Sequence, residues 1–134
     1  MLQQKEEQFI TLLDEAFSQI NVDNKRYYIF TCDGEIVKLN YDDIIYMEAR
    51  GHYINIVSTN QSYELKESIS QVSERLNVED FFTTHRSYIV NLKHVEKINK
   101  ADCLLSNGVF IPVSRSNYQQ FNKAFIQYYR GSSL

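Results

Sequence analysis

The chain has 134 residues, 43% hydrophobic and 23% charged, with 10 tyrosines and 8 phenylalanines, enough apolar material for one domain with a real core; this excludes a disordered polymer. Its apolar runs last only a few residues, too short for a membrane-spanning helix, and Met1 to Glu7 lack the cationic-then-apolar pattern of a signal peptide. The formal net charge of -3 argues at first sight against a polyanion as partner.

The charge is unevenly placed. Residues 1–23 carry one lysine against five acids, residues 24–80 six basic against ten acidic residues, and residues 81–134 seven basic residues against Glu96 and Asp102 alone. A basic C-terminal part on an acidic whole suits a protein that meets an anionic polymer with one face. Cys32 and Cys103 have neither metal-ligand spacing nor the density of a disulfide scaffold, so both are expected as free thiols in a reducing, cytoplasmic compartment.

In chain order, residues 3–20 read as an amphipathic helix, with Phe9, Leu12 or Leu13, Ala16 or Phe17, and Ile20 at helical spacing. Asn21 to Asn24 form a polar linker, so residues 1–24 are read as helix and linker and residues 25–134 as the domain. From Tyr27 the apolar period becomes two. Residues 27–31 and 36–39 flank Asp33-Gly34, and residues 44–49 and 53–58 flank Arg50-Gly51-His52; both are hairpin patterns. Leu65, Ile69, Val72 and Leu76 fall on one face of a helix of about three turns. Residues 81–86 read as a strand, residues 87–95 are ambiguous between strand and helical turn, and residues 96–99 and 103–106 read as strands. Asn107-Gly108 leads into residues 109–113, where Pro112 marks an edge or an end. Tyr118, Phe121, Phe125 and Tyr128 share a helical face, with Ser114 or Ser116 as the N-cap. Short connections make the pairing antiparallel, and the expected fold is mostly β with peripheral α-helices.

Catalytic constellations are thin. The chain lacks a Gly-rich phosphate loop and a nucleophile elbow, and the Asp42-Asp43 pair sits where turn chemistry explains it. A zinc site from His85, His94 and Cys103 is a remote alternative. Cationic and polar residues concentrate instead at strand ends and turns: Arg50 and His52, His85 and Arg86, Ser114 and Arg115. Arginine can donate two parallel hydrogen bonds to guanine O6 and N7, and a helix starting near Ser114 would direct free amide groups at a phosphate.

Three stretches together resemble the LytTR DNA-binding domain. They are residues 43–49 (DIIYMEA) with Gly51-His52-Tyr53 and the helix with Leu65, the run Phe81-Phe82-Thr83-Thr84-His85-Arg86-Ser87-Tyr88-Ile89-Val90-Asn91, and Asn107-Gly108 with Ile111-Pro112-Val113-Ser114-Arg115 and the following helix. The resemblance covers residues 26–129 and implies an elongated arrangement of small antiparallel sheets whose loops read successive major grooves. It implies His52, Arg86 and Arg115 as base contacts; Arg50, Ser87 and Ser114 are the phosphate-contact candidates, and Tyr88, Ile89 and Asn91 are read as holding the Arg86 loop. The expected protein is a sequence-specific regulator of transcription, a response-regulator output domain or a stand-alone regulator, with no cofactor, no metal and no catalytic residue. Its partners would be double-stranded DNA with repeated half-sites and a second copy, joined through residues 3–20 or through a receiver domain outside this chain; neither a membrane nor a small-molecule substrate is expected. A protein-interaction module is the rival reading, supported by the acidic N-terminal helix and the ten tyrosines.

Overall fold

The computed structural model describes residues 26–76 and 79–130. The helix expected over residues 3–20 and its linker lie outside the described residues. Ten strands and two helices follow: β1 Tyr27–Cys32, β2 Glu35–Asn40, β3 Ile44–Arg50, β4 Tyr53–Ser58, β5 Ser62–Leu65, α1 Ile69–Arg75, β6 Phe81–His85, β7 Tyr88–Asn91, β8 Val95–Ile98, β9 Asp102–Leu105, β10 Phe110–Pro112 and α2 Tyr118–Arg130. They form a two-stranded sheet β1-β2, a five-stranded sheet in the order β5-β4-β3-β7-β6, and a three-stranded sheet β10-β9-β8, with every pairing antiparallel. The mostly β fold with peripheral helices is therefore observed.

The five-stranded sheet is the middle layer, because its strands bury alternate residues on opposite faces. On β7, Ile89 joins a core with Met47, Ile54 and Ile56, closed by Tyr28 and Phe30 of the β1-β2 hairpin and by Val72 of α1. The next residue, Val90, joins a second core with Ile45, Leu105, Ile111 and Phe121, closed by the three-stranded sheet and α2. Asn91 ends β7 fully buried and stitches the layers together. Its side-chain amide donates to the carbonyls of Tyr41 at 2.9 Å and Ile44 at 2.8 Å, while its oxygen accepts the Lys93 amide at 2.9 Å. Removing it would strand buried backbone groups, but these bonds lie at the end of β7 away from the Arg86 turn, so Asn91 holds the Tyr41–Ile44 segment rather than the Arg86 loop expected of it.

Two expectations change. Leu65 does not open a three-turn helix; it ends β5, paired with Ile54, and the helix spans only Ile69–Arg75. A reciprocal cap explains the boundary, since the Ser68 hydroxyl accepts from the Gln71 amide at 3.2 Å and the Gln71 side chain accepts from the Ser68 amide at 2.9 Å. Residues 65, 72 and 76 share one core because strand and helix both face it, so spacing alone could not separate them. The ambiguous residues 87–95 divide into β7, a 3-10 turn over Leu92–His94, and the start of β8. Pro112 lies on β10, an edge strand, as expected.

Candidate nucleic-acid interface

Antiparallel pairing of β3 with β7 sets Glu48 opposite Tyr88, so the end of β3 meets the start of β7. The turn after β3, which carries His52, and the turn before β7, which carries Arg86 and Ser87, therefore share one end of the sheet. A backbone hydrogen bond fastens them, with the Ala49 amide donating to the Ser87 carbonyl at 2.8 Å.

The first turn is two residues long, with Gly51 at φ +59°, the left-handed conformation that suits glycine at the first position of a tight hairpin turn. His52 is exposed on it. Arg50 belongs to β3 rather than to the turn, and it is engaged: its guanidinium lies 3.2 Å from Glu48. Glu48 also accepts the Tyr88 hydroxyl at 3.0 Å. Burial first, and then that bond to Glu48, push the Tyr88 phenol above its ordinary value, so it remains a donor. Tyr53, the first residue of β4, has 43% of its surface exposed.

The second turn joins β6 to β7. Arg86 is exposed, Ser87 is half-buried, and the Ser87 amide donates to His85 Nδ1 at 3.2 Å. Just before it, the ladder shifts register between Thr83 and His85, a bulge that leaves Thr84 as the extra residue. The Thr84 carbonyl is thereby free to meet the third segment. It accepts the Ser114 amide at 2.8 Å and the Asn117 side chain at 3.4 Å, and Asn117 also donates to the Thr83 carbonyl at 3.2 Å. The bulge thus anchors the Arg115 segment beside the Arg86 turn.

Arg115 was expected on a loop; it opens a 3-10 turn, Arg115–Asn117, that runs into α2. Ser114 occupies the N-cap position without a side-chain cap bond, and its hydroxyl lies 3.4 Å from that of Ser116. Within this segment the Ser114 amide donates to the Thr84 carbonyl at 2.8 Å and the Asn117 amide to the Ser114 carbonyl at 3.0 Å. Arg115 is exposed, and neither it nor Arg86 has a carboxylate at ion-pair distance among the described residues, whereas Arg26, Arg50, Arg75 and Lys93 are all paired.

All six expected contact residues therefore lie on one connected region. Sequence reasoning missed Glu48, which holds Arg50 two positions along β3 and also accepts from Tyr88, and Asn117, which fastens the third segment; the Tyr88 and Thr83 partners lie more than thirty positions away. His94 serves elsewhere: its ring nitrogens meet Ser106 Oγ at 2.7 Å and the Asp42 carbonyl at 2.6 Å. Cys103 is buried in the second core, and among the described residues no three metal-ligating side chains converge.

Three segments with exposed cationic side chains, held in fixed relation by a rigid antiparallel sheet, define a domain built to present loops to an extended anionic surface. The chain belongs to the LytTr DNA-binding domain family, whose model matches residues 34–126. The transcriptional regulatory protein LytR of Staphylococcus aureus (strain N315) is 33% identical over 94 residues, covering 66% of this chain and 38% of LytR. The sensory transduction protein LytT of Bacillus subtilis (strain 168) is 27% identical over 93 residues, covering 66% of this chain and 39% of LytT. The chain spans about two fifths of the length of these curated relatives. A solved LytTr DNA-binding domain from a Bacillus cereus response regulator superposes with a TM-score of 0.61 at 24% identity, over 75% of this chain and 96% of that domain. That likeness establishes the fold.

Proposed function

We propose that this chain is a sequence-specific reader of double-stranded DNA that regulates transcription in the bacterial cytoplasm, as a response-regulator output domain or a stand-alone regulator. The carrying observation is the pair of backbone bonds, Ala49 to Ser87 and Ser114 to Thr84, that set the His52, Arg86 and Arg115 segments side by side. His52, Arg86 and Arg115 read base edges; a guanidinium without a carboxylate partner keeps its fork of donors for guanine O6 and N7. Arg50, Ser87 and Ser114 meet phosphates, Arg50 after leaving Glu48. These contacts are binding contacts, and the reading assigns no covalent step to the chain.

With only a modest local excess of basic charge, one copy makes few phosphate contacts and binds non-specific DNA weakly at physiological salt. Two copies on repeated half-sites gain by effective concentration, so pairing through residues 3–20 or a receiver domain would act as the switch.

The test is selection from a random duplex library with the purified chain, alone and fused to a constitutive dimer, at low and near-physiological salt. Enrichment of a motif, repeated at about one helical turn in the dimer, is the expected result. A dimeric fusion that selects nothing at either salt overturns the reading.

A further inference from the structure

We propose that His85 is a positioning residue for the Arg86 turn: its Nδ1 accepts the Ser87 amide and so sets where the Arg86 guanidinium is presented. The inference rests on the DNA-reading role proposed for Arg86. It starts from what Arg86 lacks. No carboxylate among the described residues steers its side chain, so only the backbone of its turn gives it a direction. That turn is held at both polar backbone groups of Ser87. The Ser87 carbonyl accepts from the Ala49 amide at 2.8 Å, and the Ser87 amide donates to His85 Nδ1 at 3.2 Å.

The second bond has the geometry of an Asx turn, a side-chain acceptor binding the amide two residues on, with imidazole in the place of a carboxamide. An accepting Nδ1 carries no proton, so the neutral ring holds its hydrogen on Nε2. The ring is itself held: it makes an edge contact with Tyr88, centroids 6.0 Å apart, and the Tyr88 hydroxyl is fixed by Glu48. The bulge at Thr84 lies immediately before His85. One short segment therefore ties down the third cationic segment through Thr84 and the second through His85. The ladder of β6 with β7 does not depend on the imidazole bond, so losing it would loosen the turn without unfolding the sheet.

The experiment compares the full chain with His85→Ala, His85→Asn, Arg86→Ala and the His85→Ala/Arg86→Ala double variant. Binding is measured to a short duplex carrying the selected motif and to a scrambled duplex, and hydrogen exchange of the Ser87 amide is followed by NMR without DNA. Asparagine can restore the acceptor but not the ring. His85→Ala should lose roughly three- to tenfold in discrimination between the duplexes, the effect of one hydrogen bond. His85→Asn should recover it, and His85→Ala should cost nothing further once Arg86 is gone. The Ser87 amide should be protected in the parent and in His85→Asn and exchange fast in His85→Ala, with the unfolding midpoint little changed. His85→Asn behaving like His85→Ala, losses that simply add to those of Arg86→Ala, or an unprotected Ser87 amide in the parent chain each overturn the proposal. A parent chain that fails to separate the two duplexes overturns the DNA reading instead and takes the proposal with it; the exchange data, read without DNA, keep the two failures distinct.

Discussion

Arg86 and Arg115 are surface cations without a carboxylate at ion-pair distance among the described residues, and a guanidinium in that state has every donor available. Replacing either with alanine should cost about 1–3 kcal/mol on the selected motif and relax preference at a different base position for each. Repeating the selection with each variant checks this; an unchanged motif bound with unchanged affinity would exclude them as readers. Arg50 differs, because Glu48 holds it at 3.2 Å with 61% of the arginine side chain exposed. Such a pair contributes little to stability, yet its carboxylate both occupies the arginine and repels phosphate. Glu48→Gln should therefore strengthen binding to any duplex by about two- to fivefold without altering the motif. A salt titration of both proteins on a scrambled duplex tests it; equal or weaker binding by the variant contradicts it. The arginines were legible in the sequence because type and position sufficed. The restraint on Arg50 is local too, since Glu48 stands two positions before it on the same face of β3, but the Tyr88 hydroxyl that shares this carboxylate comes from β7 and only strand pairing reveals it.

At the scale of elements, alternation and turn residues located most of the strands, since one-sided burial writes a period of two into the sequence. They misread Leu65, where strand and helix serve the same core. They also could not show the bulge at Thr84, which arises from how two strands pair and leaves no local mark. The His52 hairpin permits a quantitative check. Gly51 has φ +59°, and a Cβ built there meets no atom within 4 Å, so the penalty for a side chain is conformational rather than steric. Gly51→Ala should destabilise the domain by about 1 kcal/mol, and Gly51→Asn by less, because asparagine visits the left-handed region more readily. Denaturant unfolding measures both; a loss of several kcal/mol in the alanine variant would show a steric clash instead.

Across the whole molecule, each core holds a group that resists ionisation. Burial pushes the Cys103 thiol up to about 12, with Asp102 adding to the shift, and burial followed by Glu67 pushes Tyr28 up to about 12. In the unfolded chain a thiol ionises near about 8.5 and a phenol near about 10, so the folded state binds these protons more tightly. The stability concerned is complete below the unfolded values and is lost as pH rises through them toward the folded ones. Stability should therefore begin to fall above about pH 8.5. Cys103→Ala should flatten the slope between about pH 8.5 and 10 while leaving the tyrosine loss above about pH 10. Denaturant midpoints across that range decide it, and an unchanged slope would remove the thiol as the cause. On the acid side, the Arg26 hydrogen bond holds Asp42 below the ordinary carboxylate range against its burial, with Lys93 assisting. Its contribution is present above about pH 4 and fades as pH falls through its lower folded value. It is a small contribution, because the Asp42 side chain is 38% exposed. By itself the sequence determined the mostly β class, the family resemblance and the identity of the cationic residues, because periodicity, turn chemistry and residue type are local properties. Tertiary structure alone decided that residues 52, 86 and 115 share one region, that the Tyr88 hydroxyl reaches Glu48, and that a bulge at Thr84 fastens the third segment to the second. Each of those depends on strand pairing between distant stretches of chain, and no single stretch contains it.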